Sequence, residues 1–274
     1  MIAVGSGYSA RSHFDGQDYL ESGTKTIDHN SGWLARAIDI KNKQGLAVLQ
    51  STPISLRGSQ NVNTWYPNKL KESGDELFQQ IAKLYKNDPA LLSRFNEGLE
   101  TKKIAEMGME SKKKGKFKDL TAACAKLMTS EKGVDCAMLE LGGWDTHNNQ
   151  ANRLDRQLTE LDTGLENLKI MLGDTWKDTT IVVATEFGRT AKENGTGGTD
   201  HGTGSAIFIA GGSVNGGKVL GEWPGLTQDK LFQQRDLMPT TSSFFWFADV
   251  LKQQWGFSSA ELNKVFPGMS GPYL

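Results

Sequence analysis

The 274-residue chain is short of the residues that mark the specialised protein classes. It has two cysteines, Cys124 and Cys136, too few for the disulfide framework of a small secreted domain. Both sit in apolar runs, the first helical and the second strand-like, and are expected to be buried, inert thiols. A single disulfide is the alternative in an oxidising compartment. Neither sign of charge is in excess: 31 Lys and Arg against 32 Asp and Glu leave a formal charge of -1. No global field therefore gathers nucleic acid or an anionic membrane. No stretch approaches the roughly 20 apolar residues of a membrane span. Met1 to Ala10 lack the basic start and apolar core of a signal peptide. Proline is scarce, at 7 residues, and histidine scarcer, at 4. Glycine is abundant, at 31. These absences exclude membrane, disordered, collagen-like and disulfide-stapled classes, and the length suits one large domain or two small ones.

The pattern is that of an α/β protein. Ile2 to Gly5 read as the tail of a strand, followed by a loop of Gly5, Gly7 and Ser9. Ser12 to Glu21 read as a helix with a serine cap, and Gly32 to Ile40 as a second. Leu46 to Leu49 are a buried-strand candidate. From about Asn61 to Ser130 the text is polar and helical, which is expected to be an insertion or cap. Lys102, Lys103, Lys112, Lys113, Lys114, Lys116 and Lys118 crowd its second half as a solvated face. Ala137 to Leu141, Thr180 to Thr185 and Ala206 to Ala210 are apolar runs. A long amphipathic helix carrying Leu154, Leu158, Leu161, Leu165, Leu168 and Met171 lies between the first two. That order predicts a parallel βαβ unit. Asn215-Gly216-Gly217 suggests a hairpin over Val214 to Val219. Thr241 to Gln254 read as a last helix, with Phe244, Phe245, Phe247 and Leu251 in the core.

Ligands of open α/β sheets bind beyond the carboxyl ends of the strands. Asp145 and His147 follow the first late strand, Glu186 and Arg189 follow the second, and Asp200 and His201 precede the third. His13, His147 and His201 all lie in polar, glycine-flanked loops. Carboxylates and imidazoles converging from separate strand ends are what a divalent metal needs. Taken pair by pair, the alternative is a capping or turn-stabilising role. Ser12 is a candidate nucleophile at a helix start, where the dipole favours an anion. Its plain alternative is an N-cap and nothing more. Arg11, His13 and Arg189 are candidate contacts for a substrate anion. A Ser12–His13 esterase is excluded, because adjacent residues at a helix start do not make a Ser–His hydrogen bond and no G-x-S-x-G elbow is present.

Four segments occur in one order: Arg11-Ser12-His13-Phe14-Asp15-Gly16-Gln17-Asp18, Gly143-Trp144-Asp145-Thr146-His147, Glu186-Phe187-Gly188-Arg189-Thr190 and Thr199-Asp200-His201-Gly202. Together they resemble a large uncharacterised bacterial family of exported, sulfatase-like proteins, many with twin-arginine signals, itself similar to a branch of the alkaline phosphatase superfamily. The likeness runs to Val265-Phe266-Pro267-Gly268. It implies one alkaline-phosphatase-like domain, a mostly parallel sheet sandwiched by helices with the insertion at about 61–130. It also implies a metal-dependent hydrolase of small or polymeric phosphate or sulfate esters. Ser12 matches the nucleophile, and Asp145, His147, Glu186 and His201 match ligands of zinc, manganese, calcium or magnesium. The spacing from Asp145 to His147 is shorter than usual, and Phe187 stands where a ligand histidine is expected. The chain is expected to begin after an earlier strand whose loop supplies a further aspartate, and after an export signal. Its location is expected to be periplasmic or exported. The alternative function is a non-catalytic exported binding or assembly protein that kept the fold.

Overall fold

The structure is a computed structural model that describes residues 2–7, 11–67, 74–107, 116–131 and 133–269. Ser9 of the first glycine-rich loop and Lys112, Lys113 and Lys114 of the lysine run lie outside the described residues. The elements follow as β1 (Ile2–Gly5), α1 (His13–Ser22), α2 (Trp33–Lys41), β2 (Gly45–Ala47), β3 (Val62–Thr64), α3 (Asp75–Leu84), α4 (Pro89–Met107) and α5 (Phe117–Met128). They continue as β4 (Cys136–Met138), α6 (Gln150–Leu172), β5 (Ile181–Val183), β6 (Ser205–Ala206), β7 (Phe208–Ala210), β8 (Thr241–Ser242), α7 (Ser243–Trp255) and α8 (Ser259–Val265). Among the described residues no helix is long and apolar enough to cross a membrane.

The architecture is mixed α/β. β1 lies between β6, antiparallel, and β8, parallel. β2 lies between β3 and β4, both parallel to it, and β5 pairs with β7 antiparallel. The expected single, mostly parallel sheet is thus three small ones. The expected βαβ unit is not formed either, since the strands on either side of α6 lie in different sheets: β4 pairs with β2, and β5 pairs antiparallel with β7. No helix separates those two strands, and a parallel return needs a crossover of a dozen residues or more, usually helical. The expected hairpin over 214–219 forms no strand. One β-branched residue on each side of Asn215-Gly216-Gly217 gives too little to pair.

Local signals place the helix ends well. Ser12 is extended and its Oγ accepts from the Asp15 backbone at 3.5 Å, so α1 starts at the next residue; Gly23, at φ +63°, ends it. α7 starts at Ser242, whose Oγ accepts from Phe244 N, and ends at Gly256 with φ 64°. A Ser258–Glu261 capping box opens α8. One core gathers Val4, Ile207, Phe244, Phe247, Leu251 and Phe266, with Trp33 stacked on Phe247 at 5.0 Å. Each such side chain contributes roughly 2 kcal/mol by leaving water. Phe245 is only half-buried.

A second core lies under α5 and α6, joining Leu120 and Cys124 to Leu46, Val48, Leu168 and Leu172. The stretch expected as a helical insertion therefore contains more than a cap. It opens with β3, which pairs with β2, and closes with α5, which is buried against α6. The expected stripe of α6 holds except at Leu158, which is 45% exposed: Leu161 and Leu168 are buried, and Leu154, Leu165 and Met171 are half-buried. Gly164 and Leu172 join the buried face, and a Cβ on Gly164 would meet the Phe117 ring at 2.3 Å. Of the described lysines in the run, Lys102 pairs with Glu106 at 2.7 Å, and Lys103, Lys116 and Lys118 are exposed.

Both cysteines are free, Cys124 buried and Cys136 half-buried. Desolvation pushes each thiol up to about 12. Thiolate is the reactive form, so at pH 8 both should label about a thousandfold more slowly than an exposed cysteine. Mass spectrometry after maleimide treatment should show no adduct in native buffer and two in guanidinium. Rapid native labelling of either residue would contradict the burial.

Candidate metal centre

The site forms where four loops meet. They are the turn between β1 and α1, the loop after β4, the loop after β5, and the segment entering β6. A short antiparallel ladder joins the last two: Thr190 N donates to Asp200 O at 2.9 Å, Gly202 N to Gly188 O at 2.8 Å and Gly188 N to Thr203 O at 3.1 Å. Glycine makes this contact possible. A Cβ on Gly188 would lie 1.7 Å from Gly204 O, and one on Gly198 would lie 2.3 Å from the His147 backbone. Part of the glycine abundance is therefore spent on close backbone approach at the site.

Three imidazoles converge on one carboxylate. His147 Nε2 lies 2.8 Å and His201 Nε2 3.1 Å from Asp145 Oδ1. His13 Nε2 lies 3.4 Å from Asp145 Oδ2, is buried, and makes no hydrogen bond. The two other Nε2 atoms face each other at 3.0 Å. His13, Asp145 and His201 each offer one ligand atom within 4.8 Å of the others, a group that can hold a metal ion.

Each ring is fixed from behind through Nδ1. His13 Nδ1 lies 2.6 Å from Glu186 Oε1, His147 Nδ1 3.0 Å from Asp200 Oδ1, and His201 Nδ1 2.8 Å from Arg11 O. Carboxylates and carbonyls only accept, so the neutral form of each imidazole would donate from Nδ1 and leave its Nε2 lone pair facing inward. The centre is then a group of acceptors facing one another, an arrangement stabilised by a cation. Ligand atoms on a tetrahedral ion at about 2.0 Å are about 3.3 Å apart. The contacts to Asp145 and between His147 and His201, at 2.8 to 3.4 Å, are near that value, and the ligand atoms of His13, Asp145 and His201 all lie within 4.8 Å of one another. Phe187, buried, backs the rings of His13 and His201, each at 4.8 Å between centroids.

Asp145 is held ionised. Desolvation would raise its pKa, but the hydrogen bond from Arg189 and the proximity of His201 and His147 outweigh this and lower it to about 2. A depressed carboxylate stabilises the fold above its unfolded value of 3.8 and loses that contribution as pH falls through about 2. Asp145 is therefore ionised at neutral pH.

The residues expected from the sequence are distributed unevenly. Asp145, His147 and His201 come together in one cluster. Glu186 does not point into the centre: one oxygen holds His13 and the other accepts from Thr185 Oγ1 at 2.9 Å. His13, expected to contact substrate, takes the inward position instead. Ser12 caps α1 between Arg11 and His13. Arg11 is consumed by Asp236, with Nε at 2.9 Å and Nη2 at 2.7 Å, so it is not free to clamp an anion. Arg189 donates to Asp145 Oδ1 at 2.8 Å and to Thr199.

Three supporting residues escaped the sequence reading. Asp200 was visible as a neighbour of His201, but not as the partner of His147. Asn194 donates to His147 O at 2.9 Å and to Asp200 Oδ1 at 3.2 Å, tying those two loops. Asp236, wholly buried, accepts from Arg11 and Thr203 and lies 3.2 Å from Arg235 Nη1. A lone aspartate in a loop gives no sequence signal for that role.

Residues 9–256 match the model of a family described as "Protein of unknown function (DUF1501)". No curated protein and no solved structure matches the chain.

Proposed function

The chain belongs to the DUF1501 family, and from its site we propose that it is a metal-dependent hydrolase of phosphate or sulfate esters, built on an alkaline-phosphatase-like scaffold and acting outside the cytoplasm. The observation that carries this reading is the inward-facing set of His13, His147 and His201 Nε2 around Asp145. Three imidazoles and one carboxylate suit zinc or a similar transition metal better than calcium or magnesium, which prefer oxygen. A bound ion supplies Lewis acidity to an ester oxygen.

The chain's own groups do the rest. Ser12 lies between two residues tied to the centre, since the Arg11 carbonyl holds His201 and His13 faces Asp145. Its hydroxyl is the nucleophile: it attacks phosphorus or sulfur in line, the bond to the ester oxygen breaks, the alcohol leaves with the hydroxyl proton, and water then cleaves the seryl ester to release phosphate or sulfate and restore the serine. The free backbone N–H groups of the first turn of α1 face the anionic oxygens. Arg189, anchored on Asp145, adds positive charge at the rim.

Replacing Ser12 by Ala should lower turnover of an aryl phosphate or aryl sulfate at least a thousandfold while leaving metal content unchanged. Undiminished turnover would remove serine from the mechanism. A second reading, a non-catalytic binding protein with a structural metal, is favoured by one observation: Arg11 and Arg189 are both already paired with carboxylates. Stoichiometric metal with no turnover on either ester class would establish that reading over the first.

A further inference from the structure

A cavity of about 630 Å³ opens beyond the carboxyl ends of β2, β3 and β4, between residues that follow each of these strands and the outer face of α1. That volume falls in the range of small-molecule sites. Its position is the one where parallel strands present ligands. It adjoins the metal centre through two elements. His13, Gln17 and Glu21 stand four residues apart along α1, so one helix face runs from the centre to the cavity wall. The loop after β4 carries Glu140 and Gly142 at the cavity, then Asp145 at the centre.

The lining has a definite chemistry. Asp18, Glu21 and Glu140 are its carboxylates, and Arg57 is its one guanidinium. Arg57 is directed at backbone, donating to Thr52 O at 3.1 Å and His29 O at 3.0 Å. Gln17 donates to both Glu21 and Glu140, at 2.7 and 2.8 Å, and so bridges the two acids. The second oxygen of Glu140 has no hydrogen-bond partner among the described residues, and only His29, at 3.4 Å, approaches Asp18. Phe14, 84% exposed, and Tyr66 add aromatic faces at the same cavity. Desolvation chiefly, and the nearby Glu21 and Glu186 carboxylates, raise the Glu140 pKa.

We propose that this cavity binds a protonated amine or quaternary ammonium on the alcohol side of the substrate. The substrate class is then an amino-alcohol ester whose anionic end lies at the metal centre. Acidic acceptors with aromatic faces recognise an organic cation and repel a second anion. The inference rests on the hydrolase reading only for where the ester sits; recognition of the cation belongs to the cavity itself.

The test is a titration of the whole chain with ethanolamine, with ethylene glycol as its uncharged counterpart and inorganic sulfate as an anion, followed by NMR. Ethanolamine should give saturable shifts at Phe14 and Tyr66, with the glycol and sulfate at least tenfold weaker there. Glu140→Gln, which keeps shape and a hydrogen bond to Gln17, should weaken ethanolamine about tenfold. Equal binding of the glycol, or ethanolamine affinity unchanged in Glu140→Gln, would overturn the proposal. Metal content of the same samples reports the centre separately. A metal-free protein that still binds ethanolamine would defeat the hydrolase reading alone, and a metal-loaded protein that ignores it would defeat the cavity alone.

Discussion

Alanine at both Asp145 and His201 should yield a folded protein with less than about one-tenth of the metal found in the wild-type chain. Elemental analysis after purification without added metal or chelator makes the comparison. Removing Asp145 takes away the carboxylate that, among the described residues, touches all three imidazoles, at 3.4, 2.8 and 3.1 Å. The two remaining imidazoles lack both the third ring and the anion that balances a metal's charge. Turnover should fall with the metal, by at least a thousandfold. Two further variants separate ligands from supports. His13→Ala should lose metal as a ligand variant does, whereas Glu186→Gln, which still accepts from His13 Nδ1, should lower affinity only tenfold to a hundredfold. The reverse order would restore Glu186 to the centre and return His13 to the substrate. Wild-type protein that takes up no zinc or manganese on soaking would leave the three imidazoles as a purely structural cluster.

This contrast shows where sequence reading reaches and where it stops. Three of the inward residues, Asp145, His147 and His201, were legible because each lies beside a strand in a polar, glycine-flanked loop. His13 was noticed for the same reason but placed on the substrate, since Glu186 already filled the ligand position in the sequence order. What separates them is the direction each side chain takes from its own backbone. His13 leaves the first turn of α1 toward Asp145, while Glu186 lies behind it and spends both oxygens on His13 and Thr185. Spacing along the chain carries no information on that choice.

The fold divides in the same way. Helices were readable because their ends are fixed locally, by Ser12 and Gly23 for α1 and by Ser242 and Gly256 for α7. Pairing between strands was not, because it is decided by distant partners. β5 and β7 are each three residues long and apolar, a pattern that fits either direction. The place of Gly164 in the buried face of α6 depended on one contact, Phe117 on Gly164, that joins two helices far apart in sequence.

Asp236 gives the second large effect, and it is a stability effect with a consequence at the site. The side chain is 0% exposed, accepts one hydrogen bond from Arg11 Nε and one from Thr203, and has Arg11 Nη2 at 2.7 Å and Arg235 at 3.2 Å. Replacing it by Ala leaves Arg11 facing a gap in the protein interior. Breaking a buried pair by removing one partner costs about 3–5 kcal/mol. Because Arg11 and Arg235 keep side-chain exposures of 24% and 41%, water relieves part of that cost. The expected loss is about 3 kcal/mol, read from the midpoint of urea unfolding with the slope unchanged. Asp236→Asn keeps the shape and one acceptor, and should lose roughly half as much. The two arginines also grip His201 from both sides, Arg11 through its carbonyl on Nδ1 and Arg235 through its bond to His201 O at 2.9 Å. Asp236→Asn, still folded, should therefore bind metal about tenfold more weakly than the wild type. An unchanged midpoint in Asp236→Ala would show that Arg11 finds water instead. An unchanged metal affinity in Asp236→Asn would show that the His201 ring is held by its loop alone.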